Sequence, residues 1–485
     1  MADKQIWVRS SLWTGRRTAH HESVRAVWRS ACALLLICVS AAITCSAQTF
    51  TDLWNFAGND GQNPQFLALV QGSDGDFYGT ASNGGANLLG TVFKVTSGGV
   101  LSTIHDFDGS DGASPHGTLL LNTDGNFYGT TLGGGADQAG TVFKITPAGI
   151  VTTLYGFAGP DGAGPQDGLV RGTDGNLYGT TNTGGKYGGG TVFKVSLAGA
   201  LTTLHNFNPS SEGAHPLGGL MQATDGKFYG TTQYGGAFND GTIFKITHAG
   251  KLTTLYTFSG PDGADPFSVL LQASDGNLYG TTNIGGAHNG GTVFKILPGG
   301  TLTTLYSFCA LDQCTDGAYP IGALIQATDG SFYGTCANLN HGAKVHGTVF
   351  KLSPDGNLTT LHSFQVADGS APHSALLQAT SGVFYGNTYA GGSHNLGTVF
   401  SLDTGLGPFV SLPTNYGKAG QKRSILGQGF IGATRVSFNG TKASFRVKSD
   451  TLLVATVPSG AMSGLVTVST PGGKLTSNKP FLILP

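Results

Sequence analysis

One motif recurs seven times along this chain of 485 residues, at intervals of 50 to 54 residues. Each copy carries a tyrosine followed by glycine, and these tyrosines are Tyr78, Tyr128, Tyr178, Tyr229, Tyr279, Tyr333 and Tyr385. A Thr-Val-Phe-Lys segment or a close variant follows each tyrosine. A fixed period in this range is typical of solenoids, propellers and other arrays, in which each repeat buries its apolar face against the next.

Within one copy, four short segments have the residue pattern of β-strands. In the second copy these are residues 117–122, 127–131, 141–145 and 151–157, and an Asp-Gly turn at 123–126 joins the first two. The 79 glycines of the chain fall mainly at fixed places between such segments, which favours tight turns over disorder. Four antiparallel strands in one repeat are typical of a propeller blade.

The two ends of the repeat region complement each other. Residues 51–57 align with the fourth strand of a copy, whereas the last copy stops after a third strand at 398–402. Pairing these segments leaves no free sheet edge, which is how a propeller avoids edge-to-edge aggregation. We therefore predict an all-β fold with a seven-bladed β-propeller over residues 48–403, closed by the N-terminal strand. The seventh blade would combine residues 372–402 with 51–57.

The repeat unit resembles the Gloeo/Verruco-type tandem repeat, called the GloVer repeat, over residues 51–402. The resemblance rests on the motifs DGNFYGTT, GTVFK and LTTLY and on the glycines between the first two. It implies an exported repeat protein of environmental bacteria and brings no established activity or catalytic residue.

A different pattern begins after the last repeat. Residues 404–412 have the composition of a Gly- and Pro-rich linker, and 413–485 resemble an IPT/TIG domain. The resemblance is carried by residues 436–441, 449–451 and 464–473, and it implies a small immunoglobulin-like β-sandwich. Alternating strands with turn signals every 8 to 12 residues or so agree with that fold.

Residues 1–47 have the pattern of a targeting segment. Several arginines precede the apolar run ACALLLICVSAAIT, and Cys-Ser-Ala follows it. This pattern predicts a Sec-type signal peptide that is cleaved after Ala47. We therefore expect a secreted, periplasmic or cell-surface protein with no transmembrane segment in the mature chain.

Charge separates the two predicted domains. Residues 48–403 contain 11 Lys and Arg against 24 Asp and Glu, a net charge of −13, whereas 404–485 contain nine against one, a net charge of +8. Opposite signs favour docking of the small domain on the propeller, or attraction of that domain to an anionic envelope polymer. A basic, solvated spacer is the third interpretation. Export argues against nucleic acid as a partner.

Removal of the leader leaves three cysteines. Cys309 and Cys314 lie close together in an insertion peculiar to the sixth copy, so in an exported protein they are candidates for a local disulfide, with zinc binding as the weaker alternative. Cys336 replaces a threonine of the motif, and we expect it to be a buried small side chain.

Two sets of carboxylates recur in the repeats. Those in the Asp-Gly turns, such as Asp124, are expected to be structural, because Asp accepts backbone hydrogen bonds in such turns. A second set lies in the loops between copies: Asp108, Asp111, Asp161, Asp262, Asp265 and Asp316. Oxygen-rich loops suit calcium, but turn formation explains them as well. We expect no metal and no cofactor, with calcium as the alternative.

Side chains that the repeat does not require are candidates for function. Strand alternation places the glycine loops after Tyr-Gly-Thr-Thr and the loops between copies on one face, opposite the Asp-Gly turns. The candidate ligand contacts on that face are Lys186, Tyr187, Phe238, Asn239, His288, His341, His346 and His394. No catalytic constellation is recognisable among them.

Three functions fit this pattern. The first is an exported, non-catalytic binding, adhesion or cell-surface interaction protein whose glycine-loop face holds an extracellular glycan or protein. The second is a propeller enzyme that acts on extracellular polysaccharide as a lyase or hydrolase. The third is a purely structural envelope protein.

Overall fold

The structure is a computed structural model, and it describes residues 48–65, 68–338 and 346–485. The predicted signal peptide at 1–47 and the candidate His341 lie outside the described residues. The described chain is all-β, as predicted, and its one helical element is the short 3-10 turn Asp312–Cys314. None of its helical segments is long and apolar enough to cross a membrane.

Seven antiparallel sheets follow one another along the described part of residues 48–403. Sheet 1 contains Val70–Gln71, Phe77–Ala81, Thr91–Val95 and Leu101–Asp106; sheet 2 contains Ala113–Pro115, Leu120–Leu121, Phe127–Gly133, Thr141–Ile145 and Val151–Gly156. Sheet 3 contains Val170–Arg171, Leu177–Thr181, Thr191–Val195 and Leu201–Asn206; sheet 4 contains Met221–Gln222, Phe228–Thr232, Thr242–Ile246 and Leu252–Thr257. Sheet 5 contains Leu271–Gln272, Leu278–Thr282, Thr292–Ile296 and Leu302–Ser307; sheet 6 contains Ile325–Gln326, Phe332–Cys336, Thr348–Leu352 and Leu358–Ser363. Sheet 7 contains Leu377–Gln378, Phe384–Thr388, Thr398–Asp403 and Thr49–Asn55.

The start of the chain supplies the fourth strand of sheet 7. Thr49–Asn55 pairs antiparallel with Thr398–Asp403, so that Thr49 lies opposite Asp403 and Asn55 opposite Thr398. Both edges that the sequence leaves unpaired are satisfied by this one pairing. The last strand of the repeat region therefore has a hydrogen-bonded neighbour on each side.

The first strand of each sheet is shorter than the sequence pattern suggests. In the second copy it covers Leu120–Leu121, not the predicted 117–122. The preceding residues pack instead against the next sheet, because a Cβ atom on Gly117 would lie 2.4 Å from the carbonyl carbon of Asp167. Residues that were predicted to extend the first strand therefore pack against the neighbouring sheet and do not pair within their own sheet.

Aromatic rings join each sheet to the next. Tyr178 of sheet 3 stacks on Phe228 of sheet 4 with ring centroids 4.1 Å apart. The equivalent Tyr385 of sheet 7 packs on Phe77 of sheet 1, with centroids 4.0 Å apart. Buried clusters of the same kind join sheets 1 through 7 in order. The repeated tyrosine is therefore a packing residue between sheets.

A second close approach explains the glycine before each fourth strand. Gly250 has a φ of 83°, and a Cβ atom there would lie 2.4 Å from the carbonyl oxygen of Leu204 in the preceding sheet. A larger residue would have to displace that backbone.

The C-terminal region forms a small β-sandwich around its own core. One sheet contains Lys422–Leu426, Leu452–Thr456 and Phe445–Val447; the other contains Thr441–Ala443, Arg435–Phe438, Val466–Thr470 and Gly473–Thr476. Tyr416–Gly417 and Leu482–Ile483 pair in parallel beside them. Alternate residues point inward, so Ile425 belongs to the core of the sandwich whereas Leu426 faces away from it.

Candidate ligand-binding surfaces and central cavity

The Asp-Gly turns use their carboxylates to hold the repeated tyrosines. Tyr178 donates its hydroxyl hydrogen to Asp174 Oδ2 at 2.8 Å, and the backbone N–H and side-chain amide of Asn176 donate to the same carboxylate. Equivalent tyrosine–aspartate bonds occur in sheets 1 to 6, whereas the turn of sheet 7 has Ser381 in place of the acid. These carboxylates are structural, as the turn pattern predicts.

The acids between copies form a second structural set, and the sequence analysis did not identify their partners on the fourth strands. Tyr155, near the end of a fourth strand, donates to Asp161 Oδ2 at 2.5 Å, and the backbone N–H of Ala158 donates to Oδ1 of the same residue. The other six partner pairs are Trp54–Asp60, His105–Asp111, His205–Glu212, Tyr256–Asp262, Tyr306–Asp316 and His362–Asp368. A donor on the fourth strand, followed six to ten residues later by an acid, was the available signal.

This bonding leaves the acidic loops poorly suited to calcium. Both oxygens of Asp161 already accept hydrogen bonds, and so do both oxygens of Asp111 and Asp262. Within the described ranges, no three His, Cys, Asp or Glu side chains come together as a metal site.

Glutamines tie neighbouring sheets together beside the Asp-Gly turns. Gln272 of sheet 5 accepts a hydrogen bond from the backbone N–H of Thr224 in sheet 4 at 2.9 Å and donates to its hydroxyl at 3.2 Å. The same backbone contact is made by Gln71, Gln222, Gln326 and Gln378. Sheets 2 and 3 instead carry Leu121 and Arg171 at this position. The repeat therefore lacks its usual glutamine in two neighbouring sheets.

The β-sandwich contacts the turns where that pattern is broken. Leu426 of the sandwich is buried in one cluster with Leu121 and Tyr78. The Tyr416 hydroxyl donates to the carbonyl oxygen of Gly172 at 2.7 Å. The leucine in place of glutamine gives the sandwich an apolar contact among these turns.

The opposite end of the sheets carries the glycine loops. In sheet 5, Asn289 has a φ of 58° and its side-chain oxygen accepts a hydrogen bond from Gly285 N at 3.2 Å. Asn239 and Asn395 make the same bond in sheets 4 and 7. Asn tolerates this left-handed conformation better than most residues. The candidate Asn239 is therefore explained by the geometry of its turn.

The residue before this asparagine is not used by the turn. Tyr187 and Phe238 occupy that position in sheets 3 and 4, and 48% and 62% of their surfaces are exposed. The Lys186 ammonium lies 5.0 Å from the centre of the Tyr187 ring. His288 and His394 are exposed at the equivalent positions of sheets 5 and 7.

The remaining candidates differ in their settings. His346 is half-buried and its backbone bonds to Phe364 and Ala371, so it shapes the loop after the gap in the described chain. Among the candidates that the structure describes, no hydrogen bond or ring contact joins one loop to another. They form a broad surface, not a single packed cluster.

Two of the described cysteines lie between sheets 5 and 6, and the third, Cys336, ends a strand of sheet 6. Cys309 and Cys314 are joined as a disulfide, with Cα atoms 4.0 Å apart. Asp316, two residues further on, is buried and accepts backbone hydrogen bonds from Ala310 and Leu311. Cys336 is a buried free thiol whose pKa is raised by desolvation, in agreement with its expected packing role.

A cavity of about 990 Å³ lies between the first strands of the sheets and the β-sandwich. Sheets 4 to 6 contribute apolar side chains to it, including Leu217, Phe267 and Ile321. Sheet 3 contributes Asp167 and Arg171. The sandwich side is lined by residues from 412–416, 464–465 and 478–482, among them Lys479.

The charged groups of this cavity differ in how far the protein neutralises them. Asp167 accepts backbone hydrogen bonds from Gly219 at 2.7 Å and from Gly168 at 2.5 Å, and burial raises the pKa of its carboxyl. Arg171 donates from Nη1 to Asn122 Oδ1 at 2.6 Å, a neutral acceptor. Lys479 is exposed and lines the cavity, and desolvation by the surrounding protein lowers the pKa of its ammonium.

Several solved structures are similar to this chain at low identity. The extracellular domain of a candidate hybrid two component system from B. thetaiotaomicron matches with 12% identity and a TM-score of 0.49, over 90% of this chain and 55% of that one. A second such domain from the same organism matches with 14% identity and a TM-score of 0.46, over 90% and 59%. A candidate 6-phosphogluconolactonase from Bacteroides uniformis matches with 16% identity and a TM-score of 0.44, over 64% and 87%. The chain spans a little over half of the length of the first two.

Two sequence families match the chain. Comparison with curated proteins finds no similar sequence. The profile of the Gloeobacter/Verrucomicrobia repeat matches residues 41–224 and 253–445, which is more than half of the chain, and that of the IPT/TIG domain matches 409–482. Both resemblances seen in the sequence are thus confirmed. The chain belongs to the Gloeobacter/Verrucomicrobia repeat family and carries an IPT/TIG domain.

Proposed function

We propose that this chain is an exported, non-catalytic binding protein built on a closed seven-bladed β-propeller. Two contacts support closure: Thr49–Asn55 pairs with the last strand of the repeats, and Tyr385 of sheet 7 packs on Phe77 of sheet 1. Because a closed ring fixes the seven glycine loops on one rigid face, that face is suited to present a binding surface.

The exposure of Tyr187 and Phe238 carries the proposal. The turns use the neighbouring glycines and asparagine, whereas these two rings make no packing contribution that the repeat needs. Single exposed apolar side chains are common, but these two large aromatic rings occupy the same position of consecutive loops. The adjacent Lys186 adds a cation and a donor beside the Tyr187 ring.

An extracellular glycan is the ligand class that this surface suits best. Sugar rings present an apolar face to an aromatic ring and hydroxyl groups to nearby polar side chains. Lys186, His288 and His394 offer such polar groups on the same series of loops. A protein ligand is the other outcome that a binding screen would identify.

The test uses the mature protein, residues 48–485, on a glycan array, followed by calorimetry with the best ligand. Joint replacement of Tyr187→Ala and Phe238→Ala should weaken binding at least about tenfold, since each lost stacking contact is worth on the order of 1 kcal/mol. Leu88→Ala, in the corresponding loop of sheet 1 and 72% exposed, is the matched control and should leave affinity unchanged. Equal affinity of all three proteins would exclude this face.

Catalysis is the competing function and has a separate readout. A polysaccharide lyase or hydrolase would release new reducing ends from extracellular polysaccharide on incubation with the protein. The proposal expects binding without such release. Export itself rests on the predicted signal peptide, and N-terminal sequencing of the secreted protein should begin at Gln48.

The basic β-sandwich supports a further contact with an anionic envelope polymer. Residues 404–485 carry nine Lys and Arg against one acid, and Lys442, Arg446 and Lys448 are exposed. Retention on an immobilised anionic polysaccharide should fall steeply as salt rises, because exposed charges are screened. Retention that does not depend on salt would contradict this contact.

A further inference from the structure

The cavity beneath the β-sandwich is a second site, separate from the glycine-loop face. Its volume of about 990 Å³ is at the upper end of the range in which proteins hold small molecules. Its walls come from several sheets and from the C-terminal domain, so both parts of the chain line it.

The wall of this cavity has one strongly apolar side. A proline recurs in the repeats just before the first strand. The residue after it is Leu217 ahead of sheet 4, Phe267 ahead of sheet 5 and Ile321 ahead of sheet 6. The corresponding residues of sheets 3 and 7 are Gln166 and His373. This position of the repeat accepts both polar and apolar residues. The fold therefore does not require the three large apolar side chains that line the cavity.

The polar groups of the cavity favour a negative ligand. The charge of Asp167 is stabilised by two backbone amides. In the described part of the chain, neither Arg171 nor Lys479 forms an ion pair with a carboxylate, and Arg171 Nε is buried without a hydrogen-bond partner. Two cations therefore face one internally satisfied anion.

A buried cationic group without a counter-ion, such as the Nε of Arg171, is costly, and a bound anion would offset that cost. Lys479 is exposed at the cavity and forms no ion pair with a carboxylate in the described structure, so its ammonium can meet an anion there. Its side chain comes from the sandwich, whereas the apolar wall comes from the sheets. A ligand that used both would bridge the two domains.

We propose that this cavity binds a small amphipathic organic anion, with its apolar body against Leu217, Phe267 and Ile321 and its anionic group at Lys479. Carboxylates and sulfonates with an aromatic or aliphatic body are the chemical class that fits. Arg171 of sheet 3 supplies a second cation to the lining, and a volume of about 990 Å³ can hold a molecule with two fused rings.

The test compares two fluorescent probes with the same rings. The anion 8-anilinonaphthalene-1-sulfonate and the neutral N-phenyl-1-naphthylamine differ in the sulfonate group. The full mature protein should bind the anion more tightly than the neutral compound. Lys479→Met should weaken anion binding at least about tenfold while the affinity for the neutral compound changes less than about twofold, because only the charge contact is lost.

Three further variants decide where the probe binds. Lys474→Met, an exposed lysine of the same domain outside the cavity, should leave both affinities unchanged. Ala323→Trp fills the cavity from the wall of sheet 6 and should abolish binding of both probes. Joint Tyr187→Ala and Phe238→Ala on the glycine-loop face should change neither.

Each contrary result overturns the proposal. Equal loss of both probes in Lys479→Met would show an apolar cavity without anion recognition. Anion binding that persists in both Lys479→Met and Ala323→Trp would place the probe elsewhere. Absence of anion binding to the unaltered protein at millimolar probe would remove the site altogether.

Discussion

The two ends of the seven sheets are made from the same repeat but use their side chains differently. At the Asp-Gly end, the polar groups are bonded within the fold: Asp174 holds Tyr178, and Gln272 holds the preceding turn. At the glycine-loop end, only part of each loop is used. Asn289 shapes its turn, whereas its neighbour His288 is exposed and makes no side-chain hydrogen bond in the described structure.

The difference shows where the repeat needs a particular residue and where it does not. A position whose side chain forms a hydrogen bond recurs because that bond stabilises each sheet that carries it. Its recurrence therefore says little about function. Departures from the pattern are more informative. Leu121 and Arg171 replace the recurring glutamine, and one contacts the β-sandwich while the other lines the central cavity.

The largest expected effect comes from breaking the apolar contact between the β-sandwich and the Asp-Gly turns. Leu426→Asp would bury a carboxylate against Leu121 and Tyr78, at a cost of about 3 kcal/mol or more. The sandwich should then detach, which small-angle scattering would detect as an increased radius of gyration. Met462→Asp, at a side chain that is 70% exposed on the same domain, is the control and should change nothing. An unchanged radius in Leu426→Asp would show that the docking does not depend on this contact.

Much of the fold was predictable because the same strand and turn pattern occurs seven times in the sequence. The strand periodicity, the Asp-Gly turns and the complementary ends of the repeat region all appear in the sequence, and Thr49–Asn55 pairs where the alignment places it. The IPT/TIG resemblance identified the second domain in the same way.

The docking and the cavity were not predictable, since they depend on which surfaces meet. Leu121 looks like any apolar residue of a strand until Leu426 is found beside it. Lys479 lies more than 300 residues from Arg171 in the chain, and no local pattern relates them. The bond between Tyr155 and Asp161 was visible as a spacing, but turn formation explained the acid equally well.

A smaller effect is expected when two aspartates are replaced, one at the Asp-Gly end of the sheets and one at the glycine-loop end. Asp174→Ala leaves the buried Tyr178 hydroxyl without its acceptor, so the free energy of unfolding should fall by about 1–3 kcal/mol. Asp137→Ala, in the exposed glycine loop of sheet 2, should change it by less than about 0.5 kcal/mol. Urea denaturation of both variants measures the difference. Equal losses would mean that the two ends contribute alike.

The next comparison lies within a single glycine loop. Asn289→Ala removes the acceptor for Gly285 N and places alanine at a φ of 58°, which should cost about 1 kcal/mol of unfolding free energy. His288→Ala, one residue earlier, should be neutral within about 0.5 kcal/mol. If His288→Ala proved the more destabilising of the two, the division of the loop into a structural and a free residue would be wrong.

The smallest effect is a change in the acid dependence of stability. Burial alone would raise the pKa of Asp275, but hydrogen bonds from Asn277, Lys295 and Tyr279 lower it to about 2. A carboxyl whose pKa is lower in the folded than in the unfolded chain stabilises the fold above the unfolded value of about 4 and loses that contribution as the pH falls toward 2. Asp275→Asn should therefore lower stability at pH 7 and flatten its fall between pH 4 and 2. The exposed Asp137→Asn is the control, because its carboxylate forms no hydrogen bond in the described structure. Urea denaturation at pH 7, 4 and 2.5 measures both profiles. Parallel profiles for the two variants would contradict the prediction, because the hydrogen-bonded carboxylate of Asp275 would then contribute no more to stability than the exposed carboxylate of Asp137.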